Sequence, residues 1–308
     1  MSFQYSTVNR VLIVGGTHGN EMSGVMLAKH WIQDPSELRR ETFTTEAYLA
    51  NPLAVENCAR YVDRDLNRSF SSELLSASGC QSDPYEVKRA REISQKYGSN
   101  NPIDFICDLH NTTSNMGATI LLTQPDDLLS LHMANYLQKN CQDPVLPCYV
   151  YCIENKGGEN IYLQNIAKHC LALELGPQPH GVIRPDILAR MRKLLNCCLD
   201  FLDLYNKGTE FPSFEMDAYR VTFKVDFPRD ADGEMSGLIH KELQDKDYVP
   251  LKPGDPMFQT LKGKEIFFEG EKTIYPTFIN EAAYYEKQVA FIATEKIYKV
   301  VEALKVHC

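Results

Sequence analysis

The sequence predicts an α/β fold, and three observations carry that prediction. Apolar, strand-like runs alternate with amphipathic helical stretches up to about residue 208. Three of those runs, Val11-Leu12-Ile13-Val14, Phe105-Ile106-Cys107 and Leu171-Ala172-Leu173, lead into polar or glycine-bearing segments. Beyond Phe211-Pro212 the texture changes to short aromatic and β-branched runs. These are separated by turn clusters such as Asp230-Ala231-Asp232-Gly233, Pro253-Gly254-Asp255-Pro256 and Lys262-Gly263-Lys264. Alternating elements call for a mixed or parallel sheet covered by helices. The chain therefore reads as a unit over residues 1–210 followed by a smaller β-rich unit over 211–308.

The individual elements follow in order. Met22 to Gln33 reads as a helix with Val25, Leu27 and Trp31 on its inner side. The polar stretch Ser71 to Asp83 reads as a surface loop. Asp83-Pro84-Tyr85-Glu86 offers an N-cap, a proline at the first helical position and a carboxylate three residues after the cap. Val87, Ala90, Ile93 and Tyr97 continue that helix at helical spacing, and Gly98 closes it. A longer amphipathic helix spans Pro185 to Asn206 through Ile187, Met191, Leu194, Leu195, Cys198, Leu202 and Tyr205.

Composition sets the boundaries. With 308 residues, 44% apolar and 24% charged, the chain is long enough for a large core. No basic segment followed by an apolar run opens it, and no run reaches transmembrane length, so a cytoplasmic protein is expected. Ten scattered cysteines fit reduced thiols, with Cys197 and Cys198 as helical core positions. A net charge of -9 disfavours nucleic acid as a partner.

The chemistry begins at Gly15-Gly16-Thr17-His18-Gly19-Asn20-Glu21, directly after the first strand. His18 and Glu21 offer an imidazole and a carboxylate three residues apart, half of a zinc site of the hydrolytic kind, which takes three protein ligands. His-x-x-Glu alone is common on solvated helical turns. Here the glycines suit a tight loop at the carboxyl end of a strand, where ligands bind in open α/β sheets. His110 in Phe105-Ile106-Cys107-Asp108-Leu109-His110 leaves a second strand at the same kind of position, and Glu174 lies where a third strand would bury it. A second constellation, Arg60-Tyr61-Val62-Asp63-Arg64-Asp65-Leu66-Asn67-Arg68, reads either as a salt-bridged loop or as an anion site built on a guanidinium fork.

Taken together these segments carry a resemblance. GGTHGNE at 15–21, DLNR at 65–68, DLHNTTSNMG at 108–117, LELGPQP at 173–179 and NEAAYYEK at 280–287 resemble the aspartoacylase family of zinc carboxypeptidase-like amidohydrolases, over essentially the full length. The resemblance implies a zinc carboxypeptidase-like mixed sheet covered by helices, with a smaller C-terminal β-rich domain contributing to the active-site entrance. It implies that His18, Glu21 and His110 bind one Zn2+ per subunit, and that Glu174 is the general base for the attacking water and then the proton donor to the leaving amine. Arg60 would stabilise the oxyanion, while Asn67, Arg68 and Tyr284 would hold the α-carboxylate of the amino-acid product. A homo-oligomer and peripheral association with the apical membrane are implied by resemblance alone.

FPSFEMDAYR at 211–220, YPTFINEAAYYEK at 275–287 and TEK at 294–296 look most like the branch of the family that acts on N-acylated aromatic amino acids. Where aspartoacylases place an arginine, a tyrosine and a second lysine, this chain has Gln164, Asn160 and Gln288. Without those cations a second substrate carboxylate would be desolvated uncompensated. The expected substrates are therefore N-acetylated aromatic and other neutral amino acids, including mercapturic acids, the S-conjugates of N-acetylcysteine. N-acetylaspartate deacetylation is the alternative; a peptide-cleaving metallocarboxypeptidase and a non-catalytic scaffold are more distant. His30, His132 and His169 read as packing or surface histidines, Tyr285 as facing core or pocket, and His180 receives no role.

Overall fold

The computed structural model describes residues 6–76, 79–98, 101–154 and 161–306. Four parallel strands lie side by side: β1 (Arg10–Gly15), β2 (Thr44–Leu49), β3 (Phe105–Asn111) and β6 (His169–Gly176), in the order β2-β1-β3-β6. Antiparallel β4 (Gly117–Leu122) joins β6 and is followed by parallel β5 (Cys148–Cys152). The sheet then continues through β7 (Phe214–Val225), β12 (Phe291–Val301) and β11 (Tyr275–Thr277) to nine strands. A separate three-stranded antiparallel sheet is made of β8 (Gly237–Ile239), β9 (Pro256–Thr260) and β10 (Glu265–Phe267). The fold is thus mixed α/β with a smaller C-terminal β unit, and the C-terminal segment also lends three strands to the main sheet.

Alternation along the buried strands divides the core. Val11, Ile13, Cys107, Leu109, Leu171 and Leu173 face α1 (Met22–Gln33), α5 (Leu128–Asn140) and α6 (Pro185–Asn206). Their odd-even neighbours Leu12, Val14, Ile106 and Cys170 face α4 (Tyr85–Tyr97) on the other side. Val25, Leu27 and Trp31 of α1 are buried, as their spacing predicts, and α6 has the predicted bounds. The stretch read as a loop from Ser71 contains the short helix α3 (Ser72–Ser76), preceded in the chain by α2 (Pro52–Glu56). Cys141 and Cys197 meet sulfur to sulfur between α5 and α6, a pairing that the scatter of cysteines in the sequence did not disclose. Among the described residues no helix is long and apolar enough to cross a membrane.

The start of α4 departs from the predicted capping box. Asp83 turns away to the Cys80 amide and to Arg91, and the helix begins at Tyr85, whose N–H donates to Asp63 Oδ2 at 2.6 Å. Glu86 is fully buried and accepts from the amides of Val62 (2.6 Å), Asp63 (3.0 Å) and Arg64 (3.1 Å), and from Asn51 Nδ2 (3.1 Å). The cap has become reciprocal across space: the 62–64 loop caps the helix, and the helix satisfies the loop. A Glu86→Ala variant orphans these buried donors at roughly 1–3 kcal/mol for each unsatisfied group. It is expected to lower unfolding stability by about 3 kcal/mol in denaturant titrations; a loss below about 0.5 kcal/mol would show that the loop does not depend on this carboxylate.

Candidate metal centre and substrate cavity

The loop after β1 is shaped by close approach. Gly16 has φ +68°, and a Cβ there would meet Leu49 and Val55 at 2.9 Å. A Cβ on Gly19 would lie 2.1 Å from the Ala54 carbonyl carbon. Only glycine fits both positions, and the resulting turn delivers His18 and then Glu21, at the N-cap of α1, to the carboxyl edge of the sheet. On β3, Asp108 and His110 share the α4 face, and on β6 Ala172 and Glu174 share it, with His110 beside Glu174 in register.

His18, Glu21 and His110 converge as predicted. Their ligand atoms lie within 4.8 Å of one another, and all three residues are buried. His18 Nδ1 is 2.6 Å from Glu21 Oε1, and His110 Nδ1 is 2.8 Å from Glu21 Oε2. The far nitrogens are held as well: His18 Nε2 lies 3.0 Å from Asp65 Oδ1, and His110 Nε2 lies 2.8 Å from Asp108 Oδ2. An Nε2–H donated to a buried carboxylate leaves the Nδ1 lone pair of each ring facing the Glu21 oxygens. Two acceptors aimed at a carboxylate need a cation between them, and a carboxylate behind each imidazole is the usual support of a metal-binding histidine. The donor set therefore fits a divalent metal.

Sequence reasoning did not single out Asp65 and Asp108. Asp108 left a trace, two residues before His110 on the same strand face. Burial works against ionisation of Glu21, but when His18 and His110 are protonated their charges and hydrogen bonds outweigh it and hold its carboxyl well below the usual range. Asp65 is driven the same way against its own burial, by His18 and the Arg60 and Arg68 guanidiniums. In contrast, burial and then the charge of Glu21 push the Glu174 carboxyl well above its ordinary value.

Arg60 stands beside the cluster, with Nη1 at 3.3 Å from Glu21 and Nη2 at 3.2 Å from Asp65. Asn67 accepts the Leu163 amide at 3.0 Å and places its Nδ2 3.3 Å from His110. Arg68 lies 5.0 Å over the Tyr162 ring. A cavity of about 170 Å³ is lined by His18, His110, Glu174, Arg60, Asn67, Arg68, Gln164 and Tyr284, as well as by Lys287, which pairs with Asp65 at 3.1 Å. Leu121, Tyr151, Ile153, Val221, Phe278, Val289 and Ile292 form its apolar wall.

Gln288 does not join them. It ends the short turn Ala282–Lys287 with a left-handed backbone (φ 55°), is exposed, and is absent from the cavity wall, so Lys287 points inward while Gln288 points out. Asn160 lies outside the described residues. Tyr285 packs on Phe227 with ring centroids 5.1 Å apart, outside the cavity. His132 bonds the Glu302 carbonyl, His169 pairs with Asp127, and His180 lies 3.4 Å from Glu281, a carboxylate that also receives Thr112 and the Thr113 amide.

Known proteins resemble this chain in sequence and fold. Residues 214–296 match the AstE/AspA barrel-sandwich hybrid domain. The N-acyl-aromatic-L-amino acid amidohydrolase (carboxylate-forming) of Xenopus tropicalis is 64% identical over 304 residues, covering 98% of each chain. An aspartoacylase of Danio rerio is 48% identical over 288 residues, covering 92% of this chain and 91% of its own. The crystal structure of murine aminoacylase 3 superposes with a TM-score of 0.94 at 47% identity, covering 98% of this chain and 100% of that one. With residues 7–202 matching the family's catalytic domain as well, the chain belongs to the succinylglutamate desuccinylase/aspartoacylase family.

Proposed function

We propose that this chain is a zinc-dependent amidohydrolase acting on N-acyl, mainly N-acetyl, aromatic and other neutral L-amino acids, including mercapturic acids. It releases a carboxylate and the free amino acid. The observation that carries the substrate class is the wall of the cavity: away from the metal cluster and its neighbouring cations Arg60, Arg68 and Lys287 it is apolar apart from Lys224, and Gln164 brings no charge to it. The Xenopus tropicalis relative named for aromatic substrates is also more similar to this chain than the Danio rerio aspartoacylase, 64% against 48% identity.

His18, Glu21 and His110 would hold one Zn2+ per subunit. Bound there, the ion acts as a Lewis acid toward water and the scissile carbonyl. Glu174 takes the proton of the attacking water and passes it to the leaving amine; its raised affinity for protons suits a group that must do both. Arg60 faces the negative charge that develops on the carbonyl oxygen. Its guanidinium is fixed by Asp65 and Glu21, so no reorganisation is needed at the moment of reaction. Asn67, Arg68 and Tyr284 receive the α-carboxylate, which orients the amide toward Glu174. By resemblance, the reading extends to a cytoplasmic homo-oligomer with peripheral contact to the apical membrane, residues 211–308 shaping the cavity mouth.

A panel of N-acetyltyrosine, S-benzyl-N-acetylcysteine and N-acetylaspartate on zinc-loaded protein tests this reading. A few kcal/mol of uncompensated desolvation corresponds to roughly a hundredfold in kcat/KM, so the aromatic substrates are expected to lead by about that factor. Faster turnover of N-acetylaspartate would replace the reading with aspartoacylase proper. Arg68→Ala is expected to raise KM for every member of the panel. An effect confined to the acidic substrate would move Arg68 to the other carboxylate.

A further inference from the structure

One lysine in the cavity is there because of a defect in the sheet. β7 and β12 pair in regular register from Val301↔Phe214 to Thr294↔Val221, which puts Tyr219 and Val221 on the same face as Tyr151 of β5. Past that point the ladder slips: Ala293 pairs with Phe223 and Ile292 with Lys224, so Thr222 and Phe223 together oppose Ala293. The Thr222 hydroxyl fastens this bulge by donating to the Ala293 carbonyl at 2.8 Å. In an unbroken ladder Phe223 would stand opposite Ile292 and complete the apolar wall, with Lys224 turned to the other side. The bulge exchanges them. Lys224 lines the cavity, whereas Phe223 is left 49% exposed on the opposite face.

Leaving a phenylalanine half exposed forgoes its apolar burial, and the bulge places in its stead an exposed ammonium at the rim of the cavity, open to a partner there. The other cations of the cavity are engaged: Arg60 with Glu21 and Asp65, Lys287 with Asp65, and Arg68 over Tyr162. Lys224 makes no hydrogen bond or ion pair among the described residues. It also sits three strands from Glu174, about 14 Å across the sheet at the usual strand spacing. A carboxylate one methylene from the substrate Cα cannot reach it.

Building on the function proposed above, we propose that Lys224 is a specificity-determining residue at the far end of the cavity that receives an anionic group at the tip of a long, otherwise apolar substrate side chain. The substrate class is an N-acylated amino acid whose aryl or S-aralkyl side chain ends in a carboxylate or comparable anion. Leu121, Tyr151, Ile153, Val221 and Ile292 cover the apolar stem, and the anion meets Lys224 near solvent, where its desolvation is small. Exclusion of an anion near the Cα and acceptance of one at the tip then coexist in one cavity.

The test compares N-acetyl-S-(4-carboxybenzyl)cysteine with its neutral isostere N-acetyl-S-(4-carbamoylbenzyl)cysteine on zinc-loaded wild-type protein, Lys224→Met and Lys224→Arg. The carboxylate-to-carbamoyl ratio of kcat/KM is expected to fall about fivefold in Lys224→Met, as for an ion pair at a half-open site, and to be restored in Lys224→Arg. An unchanged ratio in Lys224→Met overturns the proposal. Calorimetric titration of the free product S-(4-carboxybenzyl)cysteine gives a readout that needs no turnover: Kd should rise about fivefold in Lys224→Met, and equality with wild type again overturns it. Hydrolysis of N-acetylaspartate but of neither conjugate would overturn the proposed function instead, and the titration would still decide the role of Lys224.

Discussion

Replacing His110 by alanine is expected to remove zinc and activity together. The variant keeps His18 and Glu21 but loses one of three protein ligands, and it leaves Asp108 buried without the imidazole it faces at 2.8 Å. Loss of a supporting carboxylate alone typically weakens a metal site by ~10–100-fold. Loss of the ligand itself should exceed that, so a dialysed sample should contain substoichiometric zinc. Asp108→Asn provides the graded control: zinc is retained at higher free concentrations, with affinity lower by about 10–100-fold. Tight, stoichiometric zinc in His110→Ala would show that the metal is held elsewhere.

Glu174→Ala separates chemistry from coordination. Glu174 faces the cavity from β6 beside His110 but does not belong to the His18–Glu21–His110 cluster. Zinc content should therefore remain near one per subunit while kcat falls by about 10²–10⁴, the usual contribution of a positioned general base. Glu174→Gln should be equally slow, because the amide fills the same space yet moves no proton. Turnover close to wild type in either variant would assign the proton transfers to another group.

Much of the site was legible because it obeys two regularities visible in one sequence. Strand alternation places residues two apart on one face, and ligands gather at the carboxyl ends of parallel strands. His110 and Glu174 lie within or at the end of apolar runs, and His18 and Glu21 in the glycine-bearing loop that follows one, so their convergence could be read from the sequence. Asp65 could not be paired with His18 in this way, because nothing local links residues 47 apart. Gln288 was misplaced because it was set against the second lysine of the aspartoacylases, and such a match carries no orientation; it ends a tight turn with φ 55°, where the backbone reverses and the side chain is exposed. The three C-terminal strands in the main sheet were also invisible, since β7 and β12 have the same aromatic and β-branched texture whichever sheet they join. The bulge at Thr222 carries no glycine to announce it.

The exchange of caps between the 62–64 loop and α4 also bears on kinetics. Arg60, Asn67 and Arg68 lie on a connection that, by its irregular backbone, would be expected to fluctuate early and often. With its amides tied to Glu86 and Asp63 tied to the Tyr85 amide, that connection opens only when the first turn of α4 opens with it. In deuterium exchange the Val62, Asp63 and Arg64 amides should therefore lose protection together with Tyr85, as one cooperative unit. The connection that carries Arg60, Asn67 and Arg68 thus inherits the lifetime of a helix, and its guanidiniums are held in place for as long as that first turn stays closed.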